Sequence, residues 1–397
     1  MSDLKYSNEI KRRRLRELGL ALLLVVAGVG VSGCHTWRFY GQAIKGQYRI
    51  LAHEQPIDKL MTQPETPQKL KSRFELLDEL RAFAQSDLKL PLDGHYRKYV
   101  DLHRPYVVWN VEAAPEFSMQ AKTWWYPMVG SLEYRGYFSK PGATNYARYL
   151  RKKGYDVEVG GVTAYSTLGW FKDPVLNTFI FDPDAELAET IFHELGHARV
   201  FAHGDTDFNE AFATTVGEEG ARRWLATCGK SGELEGYKAH LQRNMEFVHL
   251  VLNARARLES LYEDQHTEDG KVKTAKKRDL TPQQLRRQKE SILNDLKKEF
   301  AALRAQWGGN DEFDWWFEGN LNNARLNSIA AYYDFVPGFE QLLAQNDGEL
   351  GKFYQAAKAL SKLPKDQRHA RLQALARARL EANRAMAANA AGPDAAN

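Results

Sequence analysis

Leu187, Ile191 and Leu195 recur every four residues, which marks one apolar face of a helix. The helix has readable ends: Asp182 as N-cap, Pro183 in the first position, Asp184 and Glu186 at the positive end of the dipole, and Gly204 as the stop. A second helix is expected from near Asp207 to beyond Trp224. Upstream, short apolar and alternating runs predict strands at 106–111, 122–126, 134–138, 157–165 and 177–181. A helix at 144–153 closes on Gly154. Residues 35–95 read as loosely amphipathic helix broken by Pro56, Pro64 and Pro67. Downstream the pattern turns helical. A charged helix at 233–262, a polar loop at 263–280 and a restart at Thr281-Pro282-Gln283-Gln284 predict an exposed helical hairpin at 231–308. Helices follow at 320–333 and 347–360, and the Ala/Arg-rich stretch 366–397 is expected to be partly disordered. Strands followed by helices predict an α+β fold.

The chain of 397 residues, 43% hydrophobic, can bury one sizeable core or two modest ones. The expected parts are a helical segment at 34–100, a core at 101–230, the hairpin, and a helical part at 309–365 that completes the core. Of the formal charge of +4, the first 33 residues supply six Lys/Arg against three Asp/Glu, leaving a remainder near +1. That is no electrostatic footprint for nucleic acid, which is excluded as a partner.

Residues 1–33 read as an export signal. Lys11, Arg12, Arg13, Arg14 and Arg16 precede an uncharged run at 18–31, shorter than the roughly 20 residues a spanning helix needs. It ends in Val31-Ser32-Gly33-Cys34, which resembles the bacterial lipobox and makes Cys34 the lipidation site. A diacylglycerol with an N-acyl chain holds a protein stably on a membrane. The expected location is the cell envelope, lipid-anchored and facing the periplasm. His35 in place of a retaining Asp points to the outer membrane. Cys228 is the only other thiol, so no intrachain disulfide forms in the processed chain, and Cys228 is expected to be buried.

The predicted helix carries His193-Glu194-Leu195-Gly196-His197. Histidines four apart share a face and can bind one zinc ion, while Glu194 can reach a water there as general base. Gly196 leaves room for a substrate or strand to approach. A zinc site needs a third protein ligand. His203 has metzincin spacing, but that pattern needs a glycine where Val200 stands. A Val in a left-handed turn costs roughly 1–2 kcal/mol. Glu210 is the other candidate, although Asp207 to Glu210 also reads as a capping box; Asp205 and Asp207 remain in play. The connection is short: the first helix climbs about 9 Å from His197 to His203, and Glu210 descends only about 4.5 Å. It closes only if the first helix stops early or the Glu side chain reaches down.

Further stretches widen the pattern: Tyr134-Arg135-Gly136-Tyr137-Phe138, 164–174 (AYSTLGWFKDP), 191–213, and Asn322-Asn323-Ala324-Arg325-Leu326 followed by Tyr332 and Val336-Pro337. Together they resemble the bacterial putative aminopeptidase family, zinc peptidases of the gluzincin type. The resemblance implies a zincin-like core, a small mixed sheet plus the histidine helix, with a largely helical C-terminal part. It also implies one zinc per chain on His193, His197 and Glu210, with Glu194 as base, in an enzyme that cleaves peptide substrates. The Gly-x-Met-x-Asn signature of well-known gluzincin aminopeptidases is missing. Tyr332 stands at the family-like spacing for the oxyanion donor. Asn322, Asn323 and Arg325 are candidate substrate-binding residues, and the strand from Gly160 to Tyr165 is a candidate edge for peptide pairing. Thr214 stands where many gluzincins place an Asp that orients the first histidine. The rival readings are an envelope endopeptidase with the same site, and a non-catalytic zinc-binding, chaperone-like lipoprotein working through its hairpin.

The lipobox generates a first prediction. Cys34→Ala should leave full-length, unacylated precursor when the chain is expressed in a bacterium and examined by mass spectrometry. Normal trimming in that variant would refute the lipobox.

Overall fold

The computed structural model describes residues 33–126, 130–164, 172–229, 231–263 and 280–390. The expected signal segment, residues 165–171 of the family-like stretch, most of the polar loop and the last seven residues lie outside them. The chain divides into two compact units, ending at and beginning after Ala52. In the first, Gly33–Ala52 forms α1. The rest of the fold is the second, a mixed α+β body with small sheets.

Pro56 and Pro67 do not merely break helices. Each occupies the N-cap position of one, α2 (Ile57–Thr62) and α3 (Gln68–Ser86). Gln55–Pro56 (β1) pairs antiparallel with Lys98–Val100 (β2), which runs parallel to Val175–Leu176 (β8). The main sheet has Val108–Pro115 (β3) at its centre, with Tyr134–Tyr137 (β6) and Tyr155–Val162 (β7) antiparallel on either side. Trp124–Tyr126 (β4) and Gly130–Leu132 (β5) form a separate hairpin. The main sheet is therefore antiparallel, and the mixed pairing belongs to the small β1-β2-β8 sheet. The strand expected at 177–181 is a turn. Asn177 accepts from the Leu102 N–H at 2.7 Å and donates to the Arg104 carbonyl at 3.3 Å, and Ile180 N–H bonds Leu176 O, so the backbone curls instead of pairing. Helix α4 (Lys140–Lys152) starts at Ser139, whose hydroxyl accepts from Gly142 N–H.

The histidine helix α5 runs Asp184–Arg199, starting one residue later than expected with Pro183, not Asp182, at the N-cap. Arg73 of α3 secures that end, donating to Ile180 O at 2.6 Å and Asp182 O at 2.7 Å and pairing with Asp184 at 2.5 Å. Leu187, Ile191 and Leu195 are buried as the period requires, joined by Ala188 and Phe192. Full burial of each large side chain is worth about 1.5–3 kcal/mol. Helix α5 ends at Arg199, where Val200 turns extended with φ −140°; Gly204, at φ +73°, lies in the loop beyond.

Helix α6 (Thr206–Thr227) returns against α5 so closely that glycines are required between them. A Cβ on Gly196 would lie 3.3 Å from Ala213 Cα, and one on Gly217 2.9 Å from the Glu189 carbonyl. The neighbour that Gly196 admits is thus α6, not a substrate or strand. Cys228 follows α6 and is exposed, contrary to expectation, because the helix ends at the surface.

Helices α7 (Ser231–Glu263) and α8 (Pro282–Gln306) form the expected hairpin, with Thr281 and Gln284 making the capping box. The hairpin does not stand free. Phe247, Val251, Leu258, Leu296 and Phe300 build a second core with Trp316 of α9 (Asp314–Phe317), with Phe313 at its N-cap, and with Leu326 of α10 (Asn323–Tyr333). Helices α11 (Val336–Ala344) and α12 (Leu350–Ser361) pack onto α6 through Phe208, Phe212, Phe339 and Phe353.

Of the stretch expected to be partly disordered, Lys365–Ala390 is helix α13, and 391–397 lie outside the described residues. Its Ala, Arg and Leu are strong helix formers, Leu372 and Leu375 are buried, and three side chains, Lys365 among them, reach Asp205. Arg368 pairs with that fully buried carboxylate at 2.8 Å and His369 Nε2 at 2.9 Å. Asp205 also caps α6, accepting from Phe208 N–H. Asp205→Ala should therefore destabilise by about 3–5 kcal/mol, the usual cost of stripping one partner from a buried ion pair. A loss under 1 kcal/mol in urea unfolding, with unchanged hydrogen exchange in α13, would contradict this.

Candidate functional site

Early termination of α5 is what brings the site together. Between α5 and α6 the chain is clamped by Asn209, whose amide oxygen accepts from Ala202 N–H at 2.7 Å and whose NH₂ donates to Ala202 O at 2.9 Å. Because α6 is capped by Asp205, the box expected at Asp207 does not form, and the Glu210 side chain is left to face α5. Glu210 Oε2 lies 3.4 Å from His193 Nε2 and 3.5 Å from His197 Nε2. One donor atom from each of these three residues lies within 4.8 Å of the others, so they could hold a metal ion. Two imidazoles and a carboxylate are a donor set that suits zinc.

The other candidates are placed differently. His203 is exposed and lies over Gly130, where a Cβ would sit 2.6 Å from its imidazole carbon. Gly130 also has φ +82°, so it could carry no side chain without strain. Asp205, Asp207 and His369 form another potential ligand group, but both Asp205 oxygens are already engaged by Arg368 and His369.

Electrostatics set the charge states. Burial alone would raise Glu210; the two histidines reverse this and hold its carboxyl well below the ordinary range. Burial lowers His193, favouring the neutral ring a metal needs. At His197 burial acts the same way but Glu210 and Glu194 outweigh it, and its pKa is raised. Glu194 is pushed up to about 8 by burial, with Glu210 and Asp173 adding to the shift and His197 opposing it. Its Oε2 is buried without a hydrogen-bond partner, as is Nδ1 of His197. Thr214 is buried on α6, one turn beyond Glu210.

The Tyr332 ring stacks on His193 with centroids 6.3 Å apart. The charge of Glu210, then burial, raises its pKa well above normal, so the phenol keeps its proton and can donate. Asn322 and Asn323 are not free to bind substrate. Asn322 caps α10, accepting from Arg325 N–H, and fully buried Asn323 donates to the carbonyls of Pro115, Glu116 and Ser118. Arg325 donates to Glu318 O at 3.0 Å and faces Glu158 at 3.9 Å. Strand β7, with Gly160 and Gly161, does form a sheet edge; Tyr165 is outside the described residues.

Sequence reasoning missed four neighbours. Tyr96, buried and held at φ +58°, has its phenol pKa raised by burial and then by Glu194. That left-handed backbone in a non-glycine stores strain of the kind that clusters at functional sites. Asp173 acts on Glu194 and sits 3.5 Å from His95. Tyr134 and Glu112, paired across β6 and β3, both feel Glu210. Tyr134 and Asp173 lay inside family-like stretches, a signal of position but not of role.

A family model described as "Putative aminopeptidase" matches residues 38–372. No curated protein matches the chain, and no solved structure does. The chain belongs to that family.

The ligand geometry yields a prediction. After reconstitution with zinc, Glu210→Ala should lose more than nine tenths of bound metal by atomic absorption, while His203→Ala keeps one equivalent. The reverse pattern would move the third ligand to His203.

Proposed function

We propose that this member of the putative aminopeptidase family is a zinc-dependent peptidase with a zincin-like, gluzincin-type centre, acting as an aminopeptidase. It would work in the bacterial cell envelope, periplasm-facing and anchored through lipidated Cys34, on the outer membrane. Among the described residues no helix is long and apolar enough to cross a membrane. The observation that carries the reading is the convergence of His193, His197 and Glu210 next to the unpartnered, buried Oε2 of Glu194.

His193, His197 and Glu210 would hold the zinc, which would supply Lewis-acid polarisation of the scissile carbonyl and a more acidic water. Glu194 takes the proton of the attacking water as its oxygen bonds the carbonyl carbon. It then returns that proton to the departing amine nitrogen as the C–N bond breaks. A carboxylate already displaced upward in pKa suits both transfers. The Tyr332 phenol donates to the carbonyl oxygen as negative charge develops there. Tyr134, likewise kept protonated by burial and by Glu210, stands in the same neighbourhood.

Glu194→Gln tests this directly. The variant should keep its zinc and its unfolding temperature while hydrolysis of a fluorogenic peptide falls about 10²–10⁴-fold. Glutamine keeps the shape but cannot take the proton, so undiminished turnover would remove the mechanism.

A further inference from the structure

Helix α1 (Gly33–Ala52) is apolar on the side where a surface helix is usually polar. Phe39, Gly46 and Ile50, seven and four residues apart, form one buried stripe. The outward face opposite carries Ile44 at 70% exposure and Tyr48 at 69%, the two most exposed large apolar side chains among the described residues. Ala52, four residues further on, continues the same strip and is also exposed. Lys45 and Arg49 each follow one of the apolar pair by a single position, so both border the strip on one side. Helix α1 contains three basic residues, Arg38, Lys45 and Arg49, and no Asp or Glu. The chain after residue 33 nets only near +1, so basic charge is concentrated here. An apolar strip edged by cations is the footprint of a helix that lies in a membrane interface. Tyrosine suits that depth, with an apolar ring and a hydroxyl that stays wet, and a lysine stem can lie along apolar surface while its ammonium reaches a phosphate. The helix is not apolar enough to cross a bilayer.

We infer that the outward face of α1 lies along an anionic phospholipid surface, with Ile44 and Tyr48 among the acyl chains and Lys45 at the headgroup phosphates. This goes beyond the peptidase reading and rests on the anchoring of Cys34 proposed above. Position argues for the occupant. Cys34 is in the first turn of α1, so an anchored chain starts this helix at the bilayer. A helix leaving the surface upright would carry Tyr48 about 21 Å from the anchor and leave both apolar side chains in water. A helix lying flat keeps both at the interface. Charge argues the same way. A second copy docked through the same face would set one acid-free basic helix against another, whereas an anionic headgroup layer attracts each basic side chain. The acyl chains fix a single point, and the helix adds a line of contact that also sets which side of α1 faces the lipid.

The test scans the helix in the acylated protein. Full-length chains are processed in a bacterium, each with the exposed Cys228 removed as Cys228→Ser and one added change: Ala43→Cys, Ile44→Cys, Gln47→Cys, Tyr48→Cys or Ala52→Cys. The Cys34 thiol carries the diacylglycerol and takes no label. A polarity-sensitive dye is attached, and the protein is reconstituted in vesicles of phosphatidylethanolamine and phosphatidylglycerol that contain nitroxide lipid. Quenching should be strong at the Ile44, Tyr48 and Ala52 positions and weak at Ala43 and Gln47. Phosphatidylcholine in place of phosphatidylglycerol should reduce it, and Lys45→Gln should lower the ratio of docked to free helix about fivefold, the worth of one basic side chain at an anionic surface. Ile44→Ser with Tyr48→Ser should release a dye placed at Ala52. Quenching that falls steadily from Ala43 to Ala52 means an upright helix and overturns the inference. So does a dye at Ile44 and Tyr48 that is shielded from a water-soluble quencher yet untouched by nitroxide lipid, the sign of a protein partner. Mass spectrometry of the same samples tells two failures apart. An unacylated chain refutes the anchor and takes the inference with it, and an acylated chain without the alternation refutes the inference alone.

Discussion

Everything at the centre depends on one constraint: a carboxylate on the second helix must be level with two imidazoles on the first. A histidine helix that continued to Gly204 would carry the chain past the site, and Glu210 could not descend far enough. The structure meets the constraint by stopping α5 at Arg199 and binding the following loop to α6 through both polar atoms of Asn209. Asp205, rather than Glu210, satisfies the first free amide of α6. In a site so buried, separating these jobs matters: a carboxylate bound to a backbone N–H has fewer lone pairs left for a cation.

The C-terminal third is a structural partner of this arrangement, not an appendage. Helix α10 presents Tyr332 to His193 and is fixed by Asn323, which gathers three carbonyls from the end of β3 and the stretch after it. Helix α13 supplies Arg368 and His369 to Asp205, so the residue that caps α6, the helix of Glu210, is held from the far end of the chain. Asp205 is kept below the ordinary carboxylate range; burial works against its charge, and His369, Lys365 and Arg368 prevail. Its contribution to stability is present above the unfolded carboxylate pKa and is lost as pH falls through its lowered value.

The α+β class, the histidine helix with its Leu187-Ile191-Leu195 stripe and the hairpin could be read from local periodicity, because each is encoded by neighbours in sequence. The Thr281 capping box is local as well, and it formed as read. What failed was set by distant partners. The turn at 177–181 looks like a strand until Asn177 is seen tied to Leu102 and Arg104. The 366–390 stretch looks like a fraying tail until Arg368 meets Asp205. Asn323 looked like a free polar group, yet the carbonyls it binds lie at the end of β3 and just after it, some two hundred residues earlier. Within the site, the four-residue spacing of His193 and His197 was legible for the same local reason. The loop geometry that favours Glu210 over His203 was not, since it turns on where a helix stops.

Imidazoles that bind a metal are usually oriented by a hydrogen bond to their other ring nitrogen. Here Nδ1 of His197 has no such partner, and a threonine, Thr214, stands one turn after Glu210 where a carboxylate would be stronger. Orientation must then come from packing. Gly196 and Gly217 let α5 and α6 approach until a Cβ on Gly217 would press on the His193 side chain at 3.1 Å, and Tyr332 covers the His193 ring from α10. Steric confinement narrows rotamers without donating charge, so it fixes where the nitrogen points but does not make it more basic. The carboxylates make up that difference at longer range. Glu210 and Glu194 raise His197, while Glu112 and Glu133 line the adjoining wall. A centre oriented by shape and charged by a surrounding wall depends less on any single hydrogen bond than on the two helices staying in close contact.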